Sequence, residues 1–358
     1  MPRDTIADLF ASFADSDEQF LAYDDGYRSH SFTYRETADA ARVFAGRLEA
    51  AGIGKGDSIL FWGENRPEWV AAFWGCVLRG AIVVPVDYRA SSDLLLRVQA
   101  IAKAKLLLVG EEVAAPPVDV PVWRLSSVHW RTPRKSITAV PVSRDDTAEI
   151  LFTSGATAEP KGVIIQHRNI LANVVPVERE MQKYKKYAKP FHPIRFLNLL
   201  PLSHMFGQSM ATFIPPMLPG VVMFMRGYNP HEIVRQIHSR RISVLVCVPK
   251  ILDVLREYVL RAVPEAAEAP PPGAHWLKRW WMYRRVHNLL GWKFWAFIVG
   301  AAPLPSELEE FWGRLGFVVI QGYGLTETAP IVTLNHPFHT RKGSVGKPIA
   351  GVEVKISD

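Results

Sequence analysis

Short apolar runs alternate with amphipathic stretches along most of the chain. The first half predicts a helix with a capping box, Thr33 and Glu36, followed by alternating strands and helices. The predicted helices are TYRETADAARVFAGRLEAAG, PEWVAAFWGCVLRG and a segment from Ser92 to about Ala104. The predicted strands are DSILFWGEN, AIVVPVD and KLLLVGE.

The second half repeats this alternation. NPHEIVRQIHSRR predicts a helix with Asn229 as its N-cap and Pro230 in its first turn. PSELEEFWGRLG predicts a helix with a second capping box, Ser306 and Glu309. A helix is also expected from Lys250 to about Ala262, before PEAAEAPPPGAH, which is predicted to be a flexible surface insertion. The predicted strands are RFLNLLP, GVVMFMRG, ISVLVCVP, WKFWAFIVGAAP and FVVIQGYG.

Such alternation predicts an α/β fold with parallel sheets covered by helices. The strands are too many for one sheet, so two doubly wound, mostly parallel α/β lobes are expected. Beyond Gly324 the helical pattern stops, and GSVGKPIAGVEVKI predicts short antiparallel strands, the start of a β-rich, distorted-barrel subdomain. The expected bounds are roughly 45–190 for the first lobe, 191–330 with 1–44 for the second, and 331–358 for the β subdomain.

Composition adds the cellular setting. Hydrophobic residues make up 48% of the 358 positions and charged residues 22%, as in a globular protein with a large core. Cys76 and Cys247 both lie in apolar runs and are predicted to be inert buried thiols in a reducing compartment. The N-terminus lacks a secretory pattern, so a cytoplasmic location is expected.

The uncharged stretch from Met205 to Met225 is interrupted by prolines and predicts a helix, a turn and a strand.

The net charge of +7 suggests anionic partners, but no zinc-finger or helix-turn-helix pattern is present, so nucleic acid is not expected. Part of the charge lies in HWLKRWWMYRRVHNLLGWKFW, where Trp alternates with Lys and Arg. One interpretation is a peripheral membrane contact through Trp276–Trp295. The other, which is favoured, is a partly buried helix whose cations extend over its own aromatic rings.

The stretch ILFTSGATAEPKGVIIQHRNI has the composition of an anion-binding loop between a strand and a helix. Gly155 and Lys161 fit the Walker A spacing, whereas Pro160 and Gly162 do not. The loop alone therefore leaves open whether it binds phosphate or only connects two elements.

A second stretch, QGYGLTETAP, follows a predicted strand. Tyr323 is placed to stack on a purine, and Thr326 and Glu327 are placed to hold phosphate and magnesium. The alternative is a polar turn with a capping threonine. Four polar loops, TSGATAEPKG, PLSHMFGQ, VGAAPLP and QGYGLTETAP, all follow predicted strands and are expected to surround one cleft, because ligands bind at the carboxyl ends of parallel strands.

Together, TSGATAEPKGV, LPLSHMFGQ, VGAAPL and QGYGLTET resemble the adenylate-forming superfamily, and the resemblance covers nearly the whole chain. Within this superfamily, the sequence most resembles the long-chain fatty acyl-CoA synthetases and fatty acyl-AMP ligases. The resemblance implies that a fatty acid attacks the α-phosphate of MgATP to give acyl-AMP. A thiol, of coenzyme A or of a carrier protein, then displaces AMP.

The resemblance also implies roles for individual residues. Catalytic roles fall on His204, Glu327 and Lys161, with Glu327 as the Mg2+ ligand. The implied acyl-binding residues are His204, Phe206, Gln208, Ser209 and Phe213. The implied ATP- and AMP-binding residues are Thr153, Ser154, Gly155, Thr157, Lys161, Gly300, Ala301, Ala302, Pro303, Gly322, Tyr323, Gly324 and Thr326.

The sequence departs from the family pattern in the phosphate loop and at the end of the chain. Ala156 removes a hydroxyl and Ala158 disfavours positive φ, so an altered ATP affinity is expected. The sequence stops at GVEVKISD, before the family's ribose-binding Asp, hinge and small C-terminal domain with its catalytic Lys. The chain is therefore expected to be an N-terminal fragment that binds acyl group and nucleotide without full turnover. The alternative is a non-catalytic binding or scaffold module.

Overall fold

The structure is a computed structural model that describes residues 3–130, 140–153, 159–183, 192–271, 273, 275–336 and 341–356, apart from the side chains at positions 276, 277 and 280. The strands are β1 Gln19–Asp24, β2 Ser29–Thr33, β3 Ser58–Trp62, β4 Ile82–Val86, β5 Leu106–Val109, β6 Val122–Arg124, β7 Thr147–Thr153, β8 Lys161–Gln166, β9 Arg195–Asn198, β10 Val221–Met225, β11 Val244–Cys247, β12 Ala296–Val299, β13 Val318–Gly324, β14 Ile331–Leu334 and β15 Lys347–Pro348.

The α-helices are α1 Ile6–Phe13, α2 Tyr34–Ala50, α3 Pro67–Arg79, α4 Ser92–Ala102, α5 His167–Lys183, α6 Met205–Gln208, α7 Ile214–Met217, α8 Pro230–Ser239, α9 Pro249–Ala262, α10 Trp276–Met282, α11 Arg284–Leu290 and α12 Ser306–Arg314. A π-helical turn, Ser209–Phe213, joins α6 to α7. We call residues 205–217, which include the predicted acyl-binding residues Phe206, Gln208, Ser209 and Phe213, the acyl segment.

The strands form two sheets that are mainly parallel. The first has the order β6-β5-β3-β4-β7-β8, and only the β7–β8 pair is antiparallel. The second has the order β15-β14-β13-β12-β11-β9-β10-β1-β2, with antiparallel pairs at its two ends. The prediction of two parallel-rich α/β sheets with antiparallel strands following them is confirmed, whereas the expected lobe bounds stay a prediction.

The largest hydrophobic cluster of the described residues extends across both sheets, and a smaller cluster packs on the other face of each sheet. Helix α3 is buried along nearly its whole length, with Trp69, Phe73 and Trp74 as its largest side chains. Phe213 of the acyl segment packs edge-on against Phe73, with ring centroids 5.5 Å apart. The acyl segment is therefore fixed to a helix that follows a strand of the other sheet.

Several local predictions are confirmed. The Thr33 backbone N–H donates to Glu36 at 2.7 Å and the Glu36 N–H donates to the Thr33 hydroxyl at 3.1 Å, which completes the capping box. The Asn229 side chain accepts the His231 N–H at 3.0 Å and caps α8. Cys76 and Cys247 are buried free thiols. Helix, turn and strand follow one another within 205–225, and no helix in the described ranges is long and apolar enough to cross a bilayer.

Other predictions are wrong. The second capping box does not form, because α12 begins at Ser306 with Pro305 as its N-cap. The Glu309 carboxylate accepts the Gly343 N–H at 3.0 Å instead. The insertion after α9 does not lie wholly on the surface, because Pro264–Ala267 forms a 3-10 turn whose Ala266 is buried and accepts a hydrogen bond from Arg314. Its flexibility stays a prediction. Of the strands expected in 343–356, only β15 forms in the described residues.

Candidate functional site

The predicted phosphate loop connects two antiparallel strands. The stretch KGVIIQ forms β8, which pairs with β7 before α5 begins, so the expected strand-to-helix connection is wrong. Thr153 ends β7 directly opposite Lys161, which begins β8. Lys161 is exposed and has no ion-pair partner among the described residues, so its ammonium group is available to an anion. Ser154, Gly155, Ala156, Thr157 and Ala158 lie outside the described residues.

The turn that carries Thr326 and Glu327 is anchored by a buried asparagine on α5. The Asn173 amide donates to the carbonyl of Thr328 at 3.1 Å and to that of Ile331 at 2.7 Å, and it accepts the Ile331 N–H at 3.1 Å. The same turn also contacts β8. The hairpin with Lys161 and the turn with Glu327 are therefore held together by α5, the helix that follows the hairpin.

The ends of β12 and β13 lie side by side, since Val299 pairs with Gln321 in parallel register. Gly300 follows directly, and a Cβ placed there would lie 2.6 Å from the Phe206 ring. Ala301 has a φ of 67°, a left-handed conformation that is strained for alanine and often marks functional sites. The structure thus places Gly300 and its neighbours against the first aromatic ring of the acyl segment.

Tyr323 lies near the end of β13 with 48% of its side chain exposed. Gly322 and Gly324 flank it, and a Cβ at Gly324 would lie 1.6 Å from the Pro330 carbonyl oxygen. Only glycine permits this approach, which brings the turn back beside Tyr323. The exposed ring is available for stacking on a planar ligand.

His204 lies immediately before α6 and is exposed. Its Nε2 lies 3.7 Å from the Asp87 carboxylate, which follows β4 of the other sheet. Arg89 also binds this carboxylate, with nitrogen–oxygen distances of 3.1 and 2.9 Å. Although burial alone would raise it, the nearby His204 ring and the hydrogen bonds from Arg89 hold the pKa of Asp87 well below its usual range.

A second asparagine fixes the chain that leads to His204. The Asn65 amide donates to the Leu200 carbonyl at 2.7 Å and accepts the Leu202 N–H at 2.8 Å. Since Asn65 follows β3, it joins the two sheets beside the histidine. Of the predicted acyl residues, Phe206 is partly buried, whereas Gln208, Ser209 and Phe213 are completely buried.

Asn65, Asp87 and Asn173 also belong to the candidate site, although no motif in the sequence predicts them there. Asn173 could have been found, because it lies in the apolar stripe of α5 with Ile170, Val174 and Val177. Asp87 and Asn65 follow strands, but their partners are more than a hundred residues away in sequence.

A magnesium ion shared with phosphates needs only one or two carboxylates from the protein. The described residues contain no group of three or more acidic, His or Cys side chains suited to a metal. Glu327 is exposed and has no ion-pair partner among those residues. The residues present therefore fit a cation that takes most of its ligands from a bound nucleotide and water.

A family model described as AMP-binding enzyme matches residues 10–358. The chain belongs to this family. The resemblance drawn from the four loops is thereby confirmed, and the family's substrates vary widely among the relatives of this chain.

Two curated relatives illustrate this range. Feruloyl-CoA synthase of Amycolatopsis sp. is 26% identical over 336 residues, which cover 91% of this chain and 61% of that protein. The long-chain-fatty-acid–CoA ligase FadD15 of Mycobacterium bovis is 24% identical, with coverage of 99% of this chain and 66% of that protein. The chain thus spans about three fifths to two thirds of the length of these relatives.

Among solved structures, O-succinylbenzoate coenzyme A synthetase (MenE) from Bacillus subtilis in complex with AMP is similar, with a TM-score of 0.77 and 22% identity. The match covers 99% of this chain and 83% of that one. A further structure of that synthetase contains ATP and a magnesium ion. At this identity the likeness shows the fold alone, which is that of the AMP-binding family.

Proposed function

We propose that this AMP-binding family member binds MgATP and a fatty acid in the cleft between its two sheets and takes part in forming acyl-AMP. The fatty acid carboxylate oxygen attacks the α-phosphorus, an acyl–phosphate bond forms, and the bond to the β-phosphate breaks to release pyrophosphate. A thiol sulfur, of coenzyme A or of a carrier protein, then attacks the acyl carbonyl, and AMP leaves as the thioester forms. From the resemblance, a long acyl chain is expected.

On the nucleotide side, we assign the phosphates to Thr153, Lys161 and Thr326, with Glu327 as the magnesium ligand. Positive charge near the phosphates lowers the cost of bringing a carboxylate to them. Magnesium, when bound, supplies further neutralisation of the phosphate charge. Tyr323 is assigned to the adenine face, where its exposed ring offers stacking area.

The observation that carries the proposal is the contact between Phe206 and Gly300. It connects the acyl segment with the two strands whose ends carry the nucleotide residues. A substrate held there has its carboxylate between His204 and the phosphate hairpin. Such alignment is the main contribution that a protein can make to an in-line displacement.

The experiment is a calorimetric titration of the chain with AMP and with non-hydrolysable acyl-adenylate analogues from acetyl to palmitoyl. We expect binding that strengthens with chain length, and at least tenfold weaker binding for Tyr323→Ala and Lys161→Met. Tyr27→Ala and Lys103→Met are matched controls on surfaces away from the cleft. If a folded sample binds neither AMP nor any analogue, the proposal is wrong and the alternative of a non-catalytic scaffold module is favoured.

We also propose a peripheral membrane contact for the Trp/Arg cluster, from an observation independent of the cleft. Trp281 and Trp292 are 64% and 53% exposed, and residues 275–295 contain five Lys or Arg and no acidic residue. The Arg284 guanidinium lies 4.1 Å from the Trp281 ring centroid, so this cation does extend over its own aromatic neighbour. Co-sedimentation with anionic vesicles that is lost in Trp281→Ala would support the contact, and equal sedimentation of both proteins would contradict it.

A further inference from the structure

Four polar side chains are completely buried where β7 meets the acyl segment. Gln208, Ser209 and Thr212 belong to the segment, and Glu149 lies on β7. Glu149 and Gln208 are neighbours across the two sheets, because the Gln208 amide acts on the carboxyl group of Glu149. We call these four residues the buried polar cluster.

Gln208 lies close enough to Glu149 to interact with its carboxyl group, but no side-chain polar atom of this cluster has a hydrogen-bond partner of ordinary length among the described residues. Both carboxyl oxygens of Glu149, both amide atoms of Gln208, and the two hydroxyls have none. Buried polar groups in proteins are nearly always paired. Elsewhere in the described residues, the buried Asn173 and Asn198 follow that rule. Unpaired buried atoms such as Trp74 Nε1 and Trp312 Nε1 also occur there, but not as a group on one segment. Six unpaired polar atoms at one junction therefore indicate that something else binds there.

The chemistry of the cluster is neutral. Burial raises the pKa of Glu149 to about 8, against which Gln208 acts only weakly, so the carboxyl group is protonated at neutral pH. A protonated carboxyl and an amide each donate and accept hydrogen bonds. Such a pair suits a hydroxyl or carbonyl group and disfavours a charged one.

The cluster lies next to the acyl site. Gln208 is four residues after His204 and two after Phe206, so it lies about one helical turn, roughly 6 Å, from the histidine. The adjoining Ser209–Phe213 turn is π-helical, a geometry that is frequent at functional sites. Glu149 lies on the strand that ends at Thr153 in the phosphate hairpin.

We propose that Glu149 and Gln208, together with the hydroxyls of Ser209 and Thr212, bind a neutral oxygen-bearing group on the acyl chain, so that the substrate is a hydroxylated or oxo fatty acid. This rests on the proposed function, since it assumes that the acyl chain enters along the acyl segment. An unsubstituted acyl chain leaves the polar groups of the cluster without hydrogen bonds. A hydroxyl or carbonyl group at the right position along the acyl chain forms hydrogen bonds with them. A site built to form hydrogen bonds discriminates strongly against analogues that lack the bonding group.

The test compares acyl-adenylate analogues in pairs, by calorimetry on the whole chain. Hexanoyl, octanoyl and decanoyl analogues are each measured with and without an ω-hydroxyl group, which places the oxygen at three depths. We expect the hydroxylated member of at least one pair to bind about tenfold tighter or more. The preference is expected to disappear in Glu149→Leu and Gln208→Leu and to persist in Glu149→Gln, which keeps a neutral donor and acceptor.

Thr212→Val serves as a milder variant if the leucine variants do not fold. Its matched control is Thr37→Val, which removes an equally buried hydroxyl in α2. We expect only Thr212→Val to reduce the hydroxyl preference. The wild-type comparison by itself decides the matter even if no variant folds.

Failure of this inference is distinguishable from failure of the proposed function. If AMP and the unsubstituted analogues bind but no hydroxylated analogue binds tighter, the acyl site stands and this inference is wrong. The cluster is then a polar link between the two sheets. If no analogue and no AMP binds to folded protein, both fail.

Discussion

His204 Nε2 lies 3.7 Å from the Asp87 carboxylate, although the two residues follow strands of different sheets. Arg89 donates hydrogen bonds to both oxygens of the same carboxylate. Together with Asn65, this contact fixes the histidine at the junction of the two sheets. The position of His204 thus depends on residues that its own sheet does not supply.

Asp87→Asn removes the charge and keeps the shape of the side chain. We expect about tenfold weaker binding of an acyl-adenylate analogue, because the histidine loses the anion that orients it. The measurement is calorimetric affinity for wild type, Asp87→Asn, His204→Ala and the double variant. If Asp87 acts through His204, the double variant binds no more weakly than His204→Ala.

Asp93→Asn is the control for that substitution, since Asp93 forms an exposed pair with Arg97 on α4. It should leave affinity within twofold of wild type. Additive effects of Asp87→Asn and His204→Ala would contradict the orienting role.

Glu149 predicts an unusual dependence of stability on pH. Burial raises its pKa from 4.5 to about 8 in the folded protein, so folding requires proton uptake between these values. The stability contributed by this group is complete below about pH 4.5 and is lost as pH rises towards 8. Glu149→Gln removes the dependence and is expected to raise the free energy of unfolding at pH 7 by on the order of 3 kcal/mol.

Urea unfolding at several pH values between 5 and 8 measures this, by comparison of the slopes for wild type and variant. His167 supplies an internal contrast, because burial lowers its pKa from 6.5 to about 4. The stability that is linked to His167 is therefore lost in the opposite direction, as pH falls from 6.5 towards 4. Parallel curves for wild type and Glu149→Gln would show that Glu149 is ionised in the folded protein.

Gly300 and Gly324 both exclude a side chain, but for different reasons. A Cβ at Gly324 meets backbone at 1.6 Å, whereas a Cβ at Gly300 meets the Phe206 ring at 2.6 Å. We expect Gly324→Ala to destabilise the fold by about 3 kcal/mol, because the turn at Pro330 has to move. Gly300→Ala is expected to displace the ring and to weaken the binding of acyl-adenylate analogues at least tenfold.

Thermal unfolding and calorimetry separate these effects. Phe206→Leu in the Gly300→Ala background should restore part of the lost affinity, because a smaller side chain makes room for the added methyl group. If the second substitution weakens binding further, the contact between the two residues is not what limits the acyl site.

The parallel strands were predictable because β-branched apolar runs such as β11 need no distant partner to be recognised. The hairpin of β1 and β2 was not, since β2, SHSFT, is largely exposed and carries no apolar period. The hydrogen bond of Glu309, which was predicted to cap α12, could not be predicted from local sequence either. The Glu309 carboxylate can bind either the local N-terminus of α12 or the distant Gly343 N–H, and only the fold selects between them.

For the candidate site, the sequence indicated the loops but not the buried polar residues that lie beside them. Lys161, Tyr323 and Glu327 stand in recognisable motifs, and the structure brings their elements together. Asn173 and Glu149 are single polar residues within apolar segments, where pattern alone predicts a core position. What such a residue binds depends on the opposite element, which the local sequence does not contain.

Asn173→Ala is expected to weaken both the fold and the binding of AMP. The Asn173 amide satisfies three backbone groups of the turn that carries Thr326 and Glu327. Asn173→Ala leaves these groups unpaired in a buried place, so we expect a loss of about 2–4 kcal/mol in the free energy of unfolding. Because the turn is also released from α5, AMP affinity should fall at least fivefold under conditions where the variant remains folded. Asn169→Ala is the matched control, since Asn169 on the same helix accepts the Gln166 N–H at the start of α5. It should cost stability at the start of α5 without changing AMP affinity, and an equal loss of affinity in both variants would mean that α5 as a whole, not Asn173, positions the turn.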